Sequence, residues 1–533
     1  MSLPSLPADW NLDQDLLVLM GAGAETQLAT WRKMGIKRGL AIIPEGTPFK
    51  QIEGVTVAKK IEELKPFVWA SNVPFRRISM RLTNGGSVDK AAASMWLSTL
   101  GSLAEEHRSF HQTLAHLGHL WAGNALQNAE DIAANPMIGD YGRAFEGVPM
   151  IVVGAGPSLA KNIHHLKAAK GKAIIVAVHR ALESLHRAGI VPDMTIAIEA
   201  RDVRHQFEDV GIGAVGACLM STTVDPNLQD HGAQRTIYFT SQAREDWLIA
   251  PEHRCHEALS LGTVSHSAVS LGKVWGCDPI VMVGQDLAFT NGDVYHREGA
   301  DGTTRIEQTD VDGHWKLAGF GPDRAKTLKG SEHDGFNVIE VPAANGGTVL
   351  TSTSFNAFRK TLEDMARSWS GGTKLLNCTE GGANIEGWTN AVLSSVVADL
   401  PERSLDVAGS LDAQRDHSAQ EPRGAKILAM HEQCRANLRE VAQLSEQCVN
   451  LIERFLKKPS PKIMRKLEPR ENRLKQVSRE VPPLTLATHH DMTIIACQTT
   501  EITDLEGSLR LSLQMYRTIQ RHAKGLLNGT YKD

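Results

Sequence analysis

No apolar run in this 533-residue chain approaches the ~20 residues of a membrane-spanning helix. The opening residues, Met-Ser-Leu-Pro-Ser-Leu-Pro-Ala-Asp, lack the basic and apolar regions of an export signal. An excess of one charge is missing too. Fifty-seven Lys+Arg against 61 Asp+Glu leave a formal net charge of −4, so composition offers nothing to a nucleic acid or an anionic membrane. Cysteine is sparse and unpatterned. The seven (Cys218, Cys255, Cys277, Cys378, Cys434, Cys448, Cys497) are odd in number and never spaced as metal-binding pairs. A soluble, reduced, cytoplasmic protein is expected. What is present is an ordinary globular balance, 42% hydrophobic and 22% charged. The length calls for two to four domains of roughly 100–200 residues each.

The chain is organised around Val148–Ile163, where the β-forming run Met150–Val153 meets Gly154-Ala155-Gly156-Pro157-Ser158 and a helical segment follows. This reads as a buried parallel strand turning sharply into a helix. Gly154 and Gly156 permit close backbone approach, Pro157 suits a first helical turn, and Ser158 can bond a free amide. Such a corner can present amides and a helix dipole to a phosphate. It can equally be a strand–helix turn that binds nothing, since the third glycine of the dinucleotide fingerprint is missing.

The surroundings decide between these. Residues 15–44 carry a β-α-β pattern with its own glycine turn, Gly21-Ala22-Gly23, but Glu25 at the mouth would repel a phosphate, so a small structural α/β domain is expected. Helical spacing follows from Met80 to Pro136. Between about 145 and 400 strands alternate with helices, which argues for a doubly wound, mostly parallel sheet. Ligands bind such sheets beyond the carboxyl ends of the strands. That rule gathers Gly154–Ser158, His179, Glu199, Gly262-Thr263-Val264-Ser265 and Gln285-Asp286 onto one rim. Asn291 to Gly347 is nearly free of periodicity and reads as a long irregular region, functional or disordered. Ser404 to Arg423 reads as a linker. The last hundred residues read as two long helices separated by a proline-broken stretch, Pro459 to Pro483. The expected domains are therefore 1–140 (α/β plus helical), 145–400 (central) and 405–533 (helical).

Four motifs, Gly154-Ala155-Gly156-Pro157-Ser158-Leu159, Gly189-Ile190-Val191-Pro192-Asp193, Gly284-Gln285-Asp286-Leu287-Ala288 and Asn377-Cys378-Thr379-Glu380-Gly381-Gly382-Ala383, stand in the order found in the motility-associated factor (Maf) family of flagellin glycosyltransferases. The resemblance covers roughly residues 110 to 400. The family's central domain is similar to bacterial sialyltransferases, a Rossmann variant that uses CMP-activated sugars. The resemblance implies transfer of a nonulosonic acid, of pseudaminic or legionaminic type, from its CMP donor to Ser or Thr of flagellin, in support of flagellum assembly and motility. It also implies a donor site built from Gly154, Gly156, Pro157, Ser158, His179, Asp193, Gly262, Thr263, Ser265, Gln285 and Tyr295. Two departures are visible: Glu199 stands where relatives often carry Asp, and Tyr295-His296 replaces the usual Thr-His.

Chemically, such a transfer needs a held leaving phosphate, a stabilised oxocarbenium-like transition state and a base. Asp286 or Glu199 suits the second task, with Arg201 or Lys273 countering the sugar carboxylate. His296 suits the third, with His266 and His179 as rivals. CMP carries one phosphate, so no metal or other cofactor is expected; Asp286, Asp293 and Glu199 would bind magnesium only for a triphosphate donor. Two alternatives stand beside this reading: an ATP- and magnesium-dependent pterin pyrophosphokinase, and a non-catalytic flagellin assembly or export factor.

Overall fold

The computed structural model describes residues 7, 9–12, 14–71, 74–83, 89–204, 210, 212–230, 232–240, 247–249, 262–299, 302–309, 314–319, 336–369, 372–415, 420–498 and 504–531. These group into two compact units: residues 1–119 with 441–477 and 485–523, and residues 120–440 with 478–484 and 524–533. The division at 140 and 400 expected from the sequence is a proposal about sequence modules, distinct from this grouping by compactness.

In the first unit, β1 (Asp15–Met20), β2 (Gly39–Ile42), β3 (Thr56–Ala58) and β4 (Arg77–Leu82) form a parallel sheet in the order β3-β2-β1-β4. Alternation along β1 serves two cores: Leu16, Val18 and Met20 join one, Leu17 and Leu19 the other. Glu25 is buried, and its carboxylate accepts from Lys50 N at 3.3 Å and Thr26 Oγ1 at 3.1 Å.

The second unit holds β5 (Met150–Val153), β6 (Ile174–Val178), β7 (Met194–Ala197), β8 (Ala217–Ser221), β9 (Thr236–Phe239) and β10 (Ile280–Val283). A second group follows: β11 (Arg305–Gln308), β12 (His314–Ala318), β13 (Phe336–Pro342), β14 (Thr348–Ser352), β15 (Leu375–Asn377) and β16 (Thr389–Asn390). The large sheet runs β16-β15-β10-β5-β6-β7-β8-β9, with every pair parallel. From β5 the chain steps outward one way to β9, then crosses back to β10 on the other side. This is the doubly wound arrangement, and its switch point is the β5–β10 border. The strands read as continuous apolar runs because both faces are covered: every residue of β5, β6, β7, β8 and β10 is buried.

Three expectations are corrected. The region from Asn291 to Gly347 is not irregular among its described residues; β11 to β14 form an antiparallel sheet in chain order, with Ile306 opposite Leu317 and Val341 opposite Val349. β11, β12 and β14 are only four or five residues long and mix polar with apolar residues, so the period-two signal was weak, and residues 310–313 and 320–335 lie outside the description. The linker contains a helix, Val407–Gln414, capped by Asp406 accepting from Gly409 N at 2.9 Å. The proline-broken stretch is the helix Pro461–Arg479: Pro461 occupies its first position, Pro469 sits inside, and Leu467, Leu474 and Val477 form its buried stripe.

Candidate functional site

Register creates the site. Val153 pairs with Val283, so Gly154 and Gly284 leave the sheet side by side. A Cβ on Gly154 would stand 2.6 Å from the Gly284 carbonyl oxygen, and one on Gly284 would stand 2.6 Å from that of Gly154. A Cβ on Gly156 would lie 2.7 Å from the Gly284 oxygen and collide with the Asp286 carboxylate. Glycine is required at these corners because two main chains touch.

That closeness overturns one expectation. The amides of Gly154 and Gly156 are not free for a phosphate: they donate to Val283 O and Gly284 O, both at 2.8 Å. Ser158 N donates to Asp286 Oδ2 at 3.1 Å and Ser158 Oγ to Asp286 Oδ1 at 2.6 Å. Of this turn, Ala155 N has no partner among the described residues, and Pro157 has no N–H. The helix after the turn is one turn long, Leu159–Asn162, too short for an appreciable dipole.

Asp286 is buried, and Thr290 Oγ1 adds a further hydrogen bond to its Oδ1 at 2.6 Å. Burial raises its pKa above the usual carboxylate value, opposed by the hydrogen bonds from Ser158 and Thr290. Its oxygens are spent within the protein. Asp286 therefore joins two loops and does not face the rim.

His296 is the group the structure does bring to the turn. Its N–H donates to Ala155 O at 2.8 Å, and its Nδ1 lies 2.9 Å from Ser184 Oγ on the helix Leu182–Arg187 after β6. The other ring nitrogen, Nε2, has no hydrogen-bond partner among the described residues. Burial lowers the pKa of His296, which keeps the imidazole neutral near pH 7. A satellite core of Phe289, Val294 and Ile306, with Trp315, Leu317 and Leu350 packed on it, holds the preceding residues. The small β11–β14 sheet thus aims this histidine. Tyr295 stacks under the Arg180 guanidinium at 4.4 Å.

A third loop completes the rim. Met282 pairs with Asn377, so the segment after β15 lies against the β10 turn. Ala383 N donates to Asp286 O at 2.8 Å, and Thr379 Oγ1 accepts from Gln285 N at 3.1 Å. Lys161 Nζ reaches Glu380 O at 2.7 Å, and Asn162 Nδ2 reaches Cys378 O at 2.8 Å. Among the described residues, the non-glycine positions with positive φ are Leu287, Asn291 and Glu380, all in these two loops. Backbone held in that region costs energy and gathers at functional sites.

Gln285 Nε2 donates to Ser265 Oγ at 2.6 Å, which links the rim to the helix Val264–Val274. Thr263 caps that helix by accepting from Ser265 N at 3.1 Å, and Gly262 precedes it with φ of 120°. His266 is fully buried and its Nε2 lies 3.0 Å from Phe358 O, so this rival base is occupied. His179 is buried in the turn after β6, and Glu199 is exposed beyond β7, two strand spacings (roughly 10 Å) from β5.

Two expected residues are elsewhere. Asp193 precedes β7 at its amino end, opposite the rim, where its carboxylate accepts from Ile175 N at 2.8 Å and pairs with Lys170. Its motif serves strand pairing. Lys273 lies in the last turn of the 264–274 helix, about 12 Å along the axis from Ser265, bonded to Thr373 Oγ1 at 2.9 Å. Arg201 follows the end of β7, and Lys161 and Arg180 are further cations that the structure brings to the rim. Arg180 was discoverable, since it follows the end of β6 directly; Lys161 and Ser184 carried no signal of their own. Asp293 pairs with Arg297 at 2.8 Å, and among the described residues no three His, Cys, Asp or Glu side chains are placed to hold a metal. Burial pushes the thiols of Cys277, Cys378 and Cys434 up to about 12, which disfavours their thiolates.

The family model described as 6-hydroxymethylpterin diphosphokinase MptE-like matches residues 123–292, the segment from before β5 to just past β10. No curated protein matches the chain. The structure of a Maf glycosyltransferase from Magnetospirillum magneticum AMB-1 aligns with TM-score 0.58 at 14% identity, covering 97% of this chain and 79% of that one. Identity that low speaks to fold. The chain thus carries an MptE-like match over residues 123–292 and shares its fold, over nearly its whole length, with a Maf glycosyltransferase.

Proposed function

We propose that this protein is a glycosyltransferase that moves a nonulosonic acid from its CMP-activated donor to a Ser or Thr hydroxyl of flagellin. The observation that carries the reading is the junction of His296 with Ala155, which sets a neutral imidazole at the switch point of a doubly wound sheet. The Maf-like fold supports it.

In this reading the acceptor oxygen attacks the anomeric carbon while the bond from that carbon to the CMP phosphate oxygen breaks. CMP leaves with the bonding electrons, and His296 Nε2 takes the hydroxyl proton. Ala155 N, Lys161 and Arg180 meet the phosphate and the sugar carboxylate, joined by the capped start of the 264–274 helix. Glu199 faces the oxocarbenium side. Asp286, Ser158 and Gln285 act as positioning residues.

The test is the intact mass of flagellin co-produced with this protein and a CMP-nonulosonate pathway. Mass increments of one sugar, absent with His296→Ala, are expected. Flagellin left unmodified by the wild type would overturn the proposal. Formation of AMP from ATP, magnesium and 6-hydroxymethylpterin would point to the pyrophosphokinase chemistry instead.

A further inference from the structure

A cavity lies at the far end of the same sheet. It has a volume of about 550 Å³ and opens where Arg235 and Thr236 enter β9, at the amino ends of the strands. It is four strand spacings, roughly 19 Å, across the sheet from β5. Its volume suits a small molecule. The wall is polar, and Tyr141, Gln234, Arg235, Asp412, Arg415 and Asp230 carry its chemistry.

Tyr141 marks it as a site. The residue is 3% exposed, its ring lies edge-on to Trp275 at 6.3 Å, and its hydroxyl has no hydrogen-bond partner among the described residues. Tyr141 lines the cavity beside Arg235, Asp412 and Arg415, and burial pushes its pKa up to about 12, with Arg415 and Arg235 opposing the rise and Asp140 and Asp412 adding to it. It is a protonated donor at any physiological pH. Arg235 forks onto Asp412 at 3.0 and 2.6 Å, which holds that carboxylate at the wall. Donors and acceptors therefore face one space.

We propose that this cavity binds a small hydroxylated anion of the sugar-phosphate or sugar-acid class. Its anionic group is taken by the Tyr141 hydroxyl and the Arg415 guanidinium, and its hydroxyls by the carboxylates of Asp412 and Asp230. The site is independent of the transfer reaction proposed above.

Calorimetric titration of the full chain with glucose 6-phosphate tests this, with inorganic phosphate and glucose as separate arms. Saturable binding of glucose 6-phosphate is expected, weakened at least tenfold in Tyr141→Phe and in Arg415→Gln and unchanged in His296→Ala. Phosphate should compete more weakly and glucose should not bind. Tyr141→Phe should melt no lower than the wild type, because the hydroxyl has no partner to lose. The proposal is overturned by the absence of binding in every arm, by equal affinity in the two cavity variants, by glucose binding as well as its phosphate, or by a clear drop in melting temperature in Tyr141→Phe.

Discussion

The main-chain N–H of His296 donates to the carbonyl of Ala155 at 2.8 Å, tying the loop after β10 to the turn after β5. The imidazole is then held by Ser184 Oγ at Nδ1. If Nε2 is the working nitrogen, Ser184→Ala should lower kcat for transfer by about tenfold or more while leaving KM for the CMP donor within twofold. Steady-state kinetics decide it; equal kcat values would remove Ser184 from the mechanism.

The same histidine sets a pH dependence. Its folded pKa lies below its ordinary value because burial disfavours the cation. Transfer should therefore rise with pH below about 6.5 and be flat near neutrality. The sign for stability is the same. The unfolded chain takes up the proton first, so the contribution is complete above the unfolded pKa and is lost as pH falls through the folded one. Urea unfolding at about pH 7 and about pH 5.5 should show a larger loss in the wild type than in His296→Gln.

Gly154→Ala and Gly284→Ala should each destabilise by at least about 1–3 kcal/mol, since the added Cβ meets main chain that cannot step aside. Chemical denaturation measures this. A neutral Gly154→Ala would mean that the two turns are not in contact.

Asp286→Ala should cost on the order of 3 kcal/mol, because it strands Ser158 N, Ser158 Oγ and Thr290 Oγ1. Thr290→Val, which removes one donor, should cost about 1 kcal/mol. With its pKa raised, ionised Asp286 itself opposes folding as pH climbs through that value, and those donors offset the penalty. Raising the pH from about 4 to 7 should thus stabilise Asp286→Asn more than the wild type.

Arg423 and Asp140 form an ion pair with side chains 1% and 5% exposed. Asp140 also accepts from Met137 N at 2.8 Å. Arg423→Met leaves that carboxylate buried without its counter-ion, and should cost about 3–5 kcal/mol in denaturant unfolding. Adding Asp140→Leu should recover part of the loss.

Local pattern revealed most of the sheet. Met150–Val153, Ile174–Val178 and Ile280–Val283 are unbroken apolar runs because strands covered on both faces need no alternation. The same logic failed for β13 and β14, where Ile339 and Glu340 are both exposed and the pattern blurs. It failed again at Pro469, where a proline that should end a helix is carried inside one.

Short-range propensity fixes where strands turn into loops, and hence which residues can stand at their ends: Gly154, Gly284, Asn377 and His179 are all placed in this way. Which of these amides and carboxylates are already used depends on contacts made across the folded chain. Gly154 N, Ser158 Oγ and Asp286 find partners more than a hundred residues away, through a register that no local pattern encodes. His296 keeps one nitrogen open for the same reason. Hydrogen-bond satisfaction is settled across the β5–β10 border, and a linear reading sees each side of that border alone.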